Sequence, residues 1–161
     1  MVGKVFVFEG MDYSGKSSVS RYCFEQLKEE HKVESYRNPG GTILGEKVRD
    51  IARIETENVE EQLLAYFLAI VSVKNQVLRD IKAGKIVLLD RWLLSTLAYQ
   101  VKLLTSRTKQ DAYSKLIYKH LQELPVHILF FDLSFMEMLD RIKQVKKTDT
   151  VDRFDSSDID Y

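Results

Sequence analysis

Cysteine is almost missing from this chain: Cys23 is the only one. An internal disulfide is therefore excluded, and a lone thiol agrees with a reducing cytoplasm. Proline is nearly as scarce, with two residues, and glycine contributes only seven. No Pro/Gly-rich tract and no repeat divides the 161 residues, so one domain over 1–161 is expected. Excess charge of one sign is lacking too, with 24 Lys and Arg against 24 Asp and Glu. No global field then draws nucleic acid or an anionic membrane, and any phosphate binding must be local. The longest strongly apolar run, residues 63–73, is too short to span a bilayer. The first ten residues run into a strand and lack a signal-peptide layout. His31, His120 and His127 lack metal-site spacing.

What the chain does have is alternation. "KVFVFEG", "KIVLLD" and "VHILFFD" read as three buried strands, and "KVESYR" as a weaker one. Between them lie helical patterns. Val19, Tyr22, Cys23 and Leu27 share one spacing, and Leu44, Val48 and Ile51 another. A long helix is predicted over 60–82, ending at "AGK", and a further one near 112–121, ending before Pro125. Ser134 and Glu137 form a capping box for a last helix. Short apolar strands alternating with helices predict an α/β fold, a parallel sheet with helices on both faces. Ligands of such sheets collect at the carboxyl ends of the strands. The segments "GMDYSGKSS", "NPGGT" and "DRW" each follow a predicted strand, which puts all three on one rim.

Residues 10–17 fit G-x-x-x-x-G-K-[ST], with a strand before and a helix after. That spacing lets backbone N–H groups of Gly10, Met11, Asp12, Tyr13, Ser14, Gly15, Lys16, Ser17 and Ser18 wrap a phosphate chain. The Lys16 ammonium then reaches the outer phosphates and the Ser17 hydroxyl reaches Mg²⁺. A nucleoside triphosphate is the expected ligand.

Read together, the segments resemble thymidylate kinases, which are P-loop nucleoside monophosphate kinases. "FEGMDYSGKSS" is similar to their E-G-x-D-x-x-G-K-[ST] loop, and "RNPGGT" at 37–42 to R-E-P-G-G-T. "DRWLLSTLAYQ" at 90–100 is similar to D-R-[YF]-x-x-S-x-x-A-Y-Q, and "DRFD" at 152–155 resembles the lid's D-R-[FI]-E. The resemblance implies a P-loop kinase three-layer sandwich and transfer of the ATP γ-phosphoryl to a deoxynucleoside monophosphate, dTMP giving dTDP. It implies Mg²⁺ held by Ser17 and, through water, by Asp90. Arg91 would grip the acceptor phosphate, and Asp12 would orient the acceptor, although Asp12 read alone also suits an Asx turn. Arg37 would face the acceptor pocket or else form a surface ion pair. Ser95 and Thr96 would lie near the base, Tyr99 against the deoxyribose, and Gln100 on the same side, with Trp92 as packing. A lid over about 143–155 would supply the missing loop cation, because Tyr13 stands where some members carry an arginine. Arg153 is the expected cation, with Lys143, Lys146 and Lys147 as further basic residues.

Two departures accompany these matches. The family's base-stacking Phe and its base-reading Arg fall near Ala65 and Ala69; Tyr66 or Phe67 could supply the ring, but no arginine is near. The family also continues past its lid with a helix, a strand and a helix, whereas this chain stops at "SSDIDY". The 60–82 helix, apolar almost all round from Leu63 to Val73, is expected either to pair two subunits in a homodimer or to lie wholly inside the monomer. Two other readings remain open: a deoxynucleoside kinase, and a nucleotide-binding protein with little turnover. A nucleoside kinase wants an acid soon after the second strand, and none comes before Glu46.

Overall fold

The computed structural model describes residues 3–54 and 58–147. The order is β1 (Lys4–Gly10), α1 (Lys16–Leu27), β2 (Val33–Arg37), α2 (Ile43–Ile54), α3 (Val59–Lys82), β3 (Ile86–Asp90), α4 (Leu93–Tyr99), a 3₁₀ turn (Val101–Leu103), α5 (Arg107–Leu121), β4 (Val126–Phe131) and α6 (Phe135–Lys147). All strand pairs are parallel and the sheet order is β2-β3-β1-β4. Parallel neighbours require crossovers, which here are the helices.

Strand alternation divides the core. Val5, Val7, Val87 and Leu89 pack with residues of α3, α4 and α5, among them Ile70, Val73, Val77, Leu93 and Ile117. Phe8 and Leu88, next in the alternation, are buried on the opposite face, where α1 packs across β1, β2 and β3. Each large apolar side chain buried in this way contributes about 1.5–3 kcal/mol. Trp92, expected as packing, is 1% exposed in the core.

The long α3 is well defined at its start. The Asn58 side chain accepts from the N–H groups of Glu60 (2.9 Å) and Glu61 (3.3 Å), and the two acids favour the positive end of the helix dipole. Arg79 and Lys82 sit in its last turn, and the chain leaves through Gly84 at φ 78°. The capping box of α6 forms: Glu137 N–H donates to Ser134 Oγ at 3.2 Å, and Ser134 N–H returns to Glu137 Oε2 at 3.0 Å.

Three expectations change. "VHILFF" forms a strand, but not a buried one: Ile128, Leu129 and Phe130 are exposed, Phe130 by 68%. An apolar run announces a strand without telling how many neighbours it has, and among the described residues β4 pairs only with β1. The α1 stripe is shallow, because Val19 and Tyr22 are exposed and the buried residues of that helix are Lys16 and Ser20. Helix α5 begins at Arg107, five residues before the expected start, because the Ser106 side chain caps it, accepting from Lys109 N–H at 3.4 Å.

Candidate active site

Strand register brings the three segments together. Phe8 of β1 and Arg37 of β2 both lie in register with Asp90 of β3. Beyond that row the chains stay tied: Asn38 N–H donates to Asp90 O at 2.8 Å, and Arg91 N–H to Phe8 O at 3.0 Å. The phosphate loop, the Asn38 turn and the Arg91 turn therefore share the carboxyl rim of the sheet.

The loop conformation depends on its glycines at two points. Gly10 has φ 144°, and a Cβ there would lie 2.4 Å from Phe131 O. Gly15 has φ 92° and precedes the first residue of α1. Tyr13, at φ 61°, also adopts the left-handed conformation. Lys16 is 5% exposed, and its Nζ donates to Met11 O at 2.5 Å. Burial first, and the Arg91 charge second, push its ammonium down to about 8 against the pull of Asp12, Asp90 and Glu9. Ser14 Oγ is buried with no hydrogen-bond partner among the described residues. An orphaned hydroxyl and a buried ammonium within one glycine loop suit a phosphate ligand.

Arg91 forms the centre of the site. It too has a positive φ, 67°, a conformation that costs a non-glycine residue about 1–3 kcal/mol and marks functional turns. Its guanidinium pairs with Asp12, donates to Gly10 O at 3.2 Å and to Ser95 Oγ at 3.1 Å, and lies 5.4 Å from the Tyr99 ring centroid. Burial is the largest influence and opposes its charge, but Asp12, Tyr99 and Asp90 together outweigh it and raise its pKa. Beneath it lies Glu9, 2% exposed, which accepts from Trp92 N–H (2.8 Å), Ser95 N–H (3.4 Å) and the Ser95 hydroxyl (2.6 Å). Burial pushes the Glu9 carboxyl up, and its donors partly offset this.

The Ser17 hydroxyl donates to Asp90 Oδ2 at 2.5 Å. One hydroxyl beside one carboxylate is a hard-oxygen pair that fits Mg²⁺ shared with phosphate oxygens and water. Among the described residues no cluster of three His, Cys, Asp or Glu gathers into an all-protein metal cage. A cleft of about 320 Å³ lies elsewhere, at residues 58–60 and 103–106, and includes none of the phosphate-loop residues.

Comparison with known proteins adds the family. The thymidylate kinase family model matches residues 8–160. The chain belongs to the thymidylate kinase family. It is similar to a thymidylate kinase of Thermoanaerobacter sp. (strain X514), 41% identical over 105 residues, covering 62% of this chain and 51% of that protein. It is also similar to one of Janthinobacterium sp. (strain Marseille), 34% identical over 156 residues, covering 89% of this chain and 76% of that protein. The crystal structure of thymidylate kinase from Ehrlichia chaffeensis superposes with a TM-score of 0.68 at 26% identity, covering 89% of this chain and 84% of that one. The chain thus spans about half the length of the first curated relatives it matches.

Against the thymidylate kinase pattern, the rim brings together Asp12, Lys16, Ser17, Asp90, Arg91, Ser95 and Tyr99. Thr96 and Gln100 are buried in α4 and just beyond it. Arg37 forms the ion-pair alternative: it is bound to Glu46, whose Oε1 also accepts from Gly41 N–H at 2.7 Å. Phe67 packs edge-on against His120, ring centroids 5.1 Å apart, and joins the core. Ala69 is fully buried. The expected 143–155 lid starts inside α6, where Lys143 faces Asp140 at 3.4 Å. Arg153 and the rest of that segment lie outside the described residues, as do the side chains of Lys146 and Lys147.

Two residues escaped the sequence reading. Glu9 was visible as an acid ending an apolar strand, a signal that it is either buried with partners or exposed at a rim. Arg141 of α6 donates to Tyr13 O at 2.7 Å, bracing the loop from 128 positions away.

Proposed function

We propose that this chain transfers the γ-phosphoryl group of ATP to a deoxynucleoside monophosphate, dTMP giving dTDP. One observation carries the reading. The Arg91 guanidinium is held between the phosphate loop, through Gly10 and Asp12, and α4, through Ser95 and Tyr99, so donor and acceptor machinery meet at one side chain. Phosphoryl transfer asks mainly for alignment and charge neutralisation. Lys16 holds the outer donor phosphates. Arg91 offers its planar fork to the acceptor phosphate, and Asp12 keeps that fork turned toward the loop. Tyr99, partly exposed beside Arg91, packs on the deoxyribose. Arg153 within "DRFD" supplies lid charge. Ser17, with Asp90 acting through water, would hold Mg²⁺, which would supply neutralisation of phosphate charge.

Base recognition supports a second reading, a relaxed monophosphate preference. No arginine precedes Arg79 in α3, and Ala69 stands buried where the family's base-reading Arg falls. A base enclosed by apolar walls is discriminated less than one that is hydrogen-bonded.

The proposed protein partner is a second copy of this chain, packed on α3 and the adjoining α2, whose Ile43, Leu44, Ile51, Leu64 and Leu68 are exposed. We propose a cytoplasmic setting, which the lone thiol of Cys23 suits. Among the described residues no helix is long and apolar enough to cross a membrane.

The test is ADP release coupled to a reporter, with ATP, Mg²⁺ and each deoxynucleoside monophosphate and nucleoside in turn. Fastest turnover on dTMP is expected. Turnover on nucleosides alone would overturn the reading, and ATP binding without any turnover would favour a binding protein.

A further inference from the structure

Glu9 has three donors and a buried position that the phosphoryl-transfer reading does not use. It is the next-to-last residue of β1, one residue before the phosphate loop, yet all these donors lie in the Arg91 turn and α4. The groups facing it are Trp92 N–H, Ser95 N–H and the Ser95 hydroxyl, all donors, which calls for a group that only accepts. Trp92 occupies the N-cap position of α4 and makes no side-chain cap, so Glu9 caps that helix from a neighbouring strand.

The Ser95 hydroxyl gives this contact a consequence. Its single proton goes to Glu9 Oε2 at 2.6 Å, which leaves its lone pairs to accept from Arg91 Nη1 at 3.1 Å. A hydroxyl free to rotate could donate elsewhere; this one is committed. The Arg91 backbone is held on the same side, with its N–H on Phe8 O and the following N–H on Glu9. A turn with φ 67° persists when its surroundings over-determine it, and these contacts do so.

We propose that Glu9 is a positioning residue for phosphoryl transfer: by fixing the Ser95 hydroxyl as an acceptor and clamping the turn, it aims the Arg91 guanidinium at the acceptor phosphate. The inference rests on the proposed monophosphate-kinase reading. Chemically, Glu9→Gln keeps the size of the side chain but turns one accepting oxygen into an NH₂ donor. Facing one way, the amide NH₂ meets the Trp92 and Ser95 N–H donors; facing the other, it leaves the Ser95 hydroxyl proton without its acceptor, so the hydroxyl's orientation toward Arg91 is no longer fixed.

The experiment measures four proteins: wild type, Glu9→Gln, Ser95→Ala and the double variant. Glu9→Gln should lower kcat at least about tenfold while ATP Kd stays within about twofold, since a misaimed group loses stabilisation felt mainly in the transition state. The losses from the two single variants should overlap, so that the double variant is no worse than about twofold below the weaker single one. Losses that multiply, or an equal loss in ATP affinity and kcat, would overturn the proposal. NMR of the Arg91 side-chain N–H signals separates this from the wider reading. If wild type turns over no monophosphate, the kinase reading fails by itself. Faster Arg91 side-chain proton exchange in Glu9→Gln would still support the aiming role, and unchanged exchange would overturn it.

Discussion

The Ser17 hydroxyl meets Asp90 Oδ2 at 2.5 Å, joining the first turn of α1 to the last residue of β3. The two residues are 73 positions apart, and the β1–β3 register together with the packing of α1 on β3 brings them together. A carboxylate that orients a metal-binding hydroxyl or a metal-bound water tunes metal affinity more than it holds the nucleotide. Asp90→Asn is therefore expected to raise the Mg²⁺ concentration for half-maximal rate by about 10- to 100-fold. Magnesium titrations of turnover measure this. ATP binding measured without Mg²⁺ should change little, and a comparable loss there would move Asp90 from metal positioning to loop folding.

Arg91 leads to a second expectation. Its partners Asp12 and Gly10 belong to the loop, but its fork is proposed for the acceptor. Arg91→Ala should lower kcat/KM for the monophosphate by about 10²- to 10³-fold, the scale of losing one preorganised donor to developing charge. ATP Kd should move far less. Arg91→Lys should recover little, because a point charge cannot donate two parallel hydrogen bonds. Steady-state kinetics beside equilibrium ATP binding decides the matter, and equal losses in both would contradict the role.

The glycine loop was legible in the sequence because its geometry restricts residue choice: Gly10 cannot carry a Cβ against Phe131 O, and Gly15 takes φ 92°. The alternation of strands and helices was legible because burial on both faces leaves continuous apolar runs. What the sequence concealed was pairing at a distance. Glu9 finds Trp92 and Ser95 at separations of 83 and 86 residues, and Arg141 finds Tyr13 at 128. Nothing local in "FEG" or "LDRIK" encodes these partners. The same limit explains β4, whose composition resembles β3 but which, among the described residues, stands at the sheet edge with Phe130 exposed. In sequence Arg37 suits a ligand or an ion pair equally, and the Glu46 carboxylate that pairs with it comes from across the turn.

The exposed apolar residues of α2 and α3 make the association state a direct test. Leu64 and Leu68 lie one turn apart on α3, both about half exposed, and Ile43 on α2 is 84% exposed. Replacing Leu64 and Leu68 together by Asp puts two charges into any interface formed there, while neither position belongs to the buried core. Sedimentation should show wild type as a dimer and the double variant as a monomer of unchanged circular dichroism. A monomeric wild type would refute the interface.

Asp80, in the last turn of α3, is 3% exposed and accepts from Tyr36 at 2.6 Å, Gln76 at 3.2 Å and Lys85 at 2.8 Å. Burial opposes its charge, but the hydrogen bonds from Lys85, Tyr36 and Gln76 outweigh it and hold the carboxyl below its ordinary 3.8. A carboxyl whose folded pKa is depressed contributes stability above the unfolded value, and that contribution is lost as pH falls through the folded one. Its full effect is therefore expected above about pH 4. Asp80→Asn keeps the shape, removes the charge and turns an amide donor toward three donors. It should cost about 1 to 3 kcal/mol at neutral pH. Urea denaturation of both proteins across a pH series reads the difference, which should shrink below about pH 4 as the wild-type carboxyl protonates. A gap that stays constant with pH would assign the loss to packing and leave the ionised network without a stabilising role.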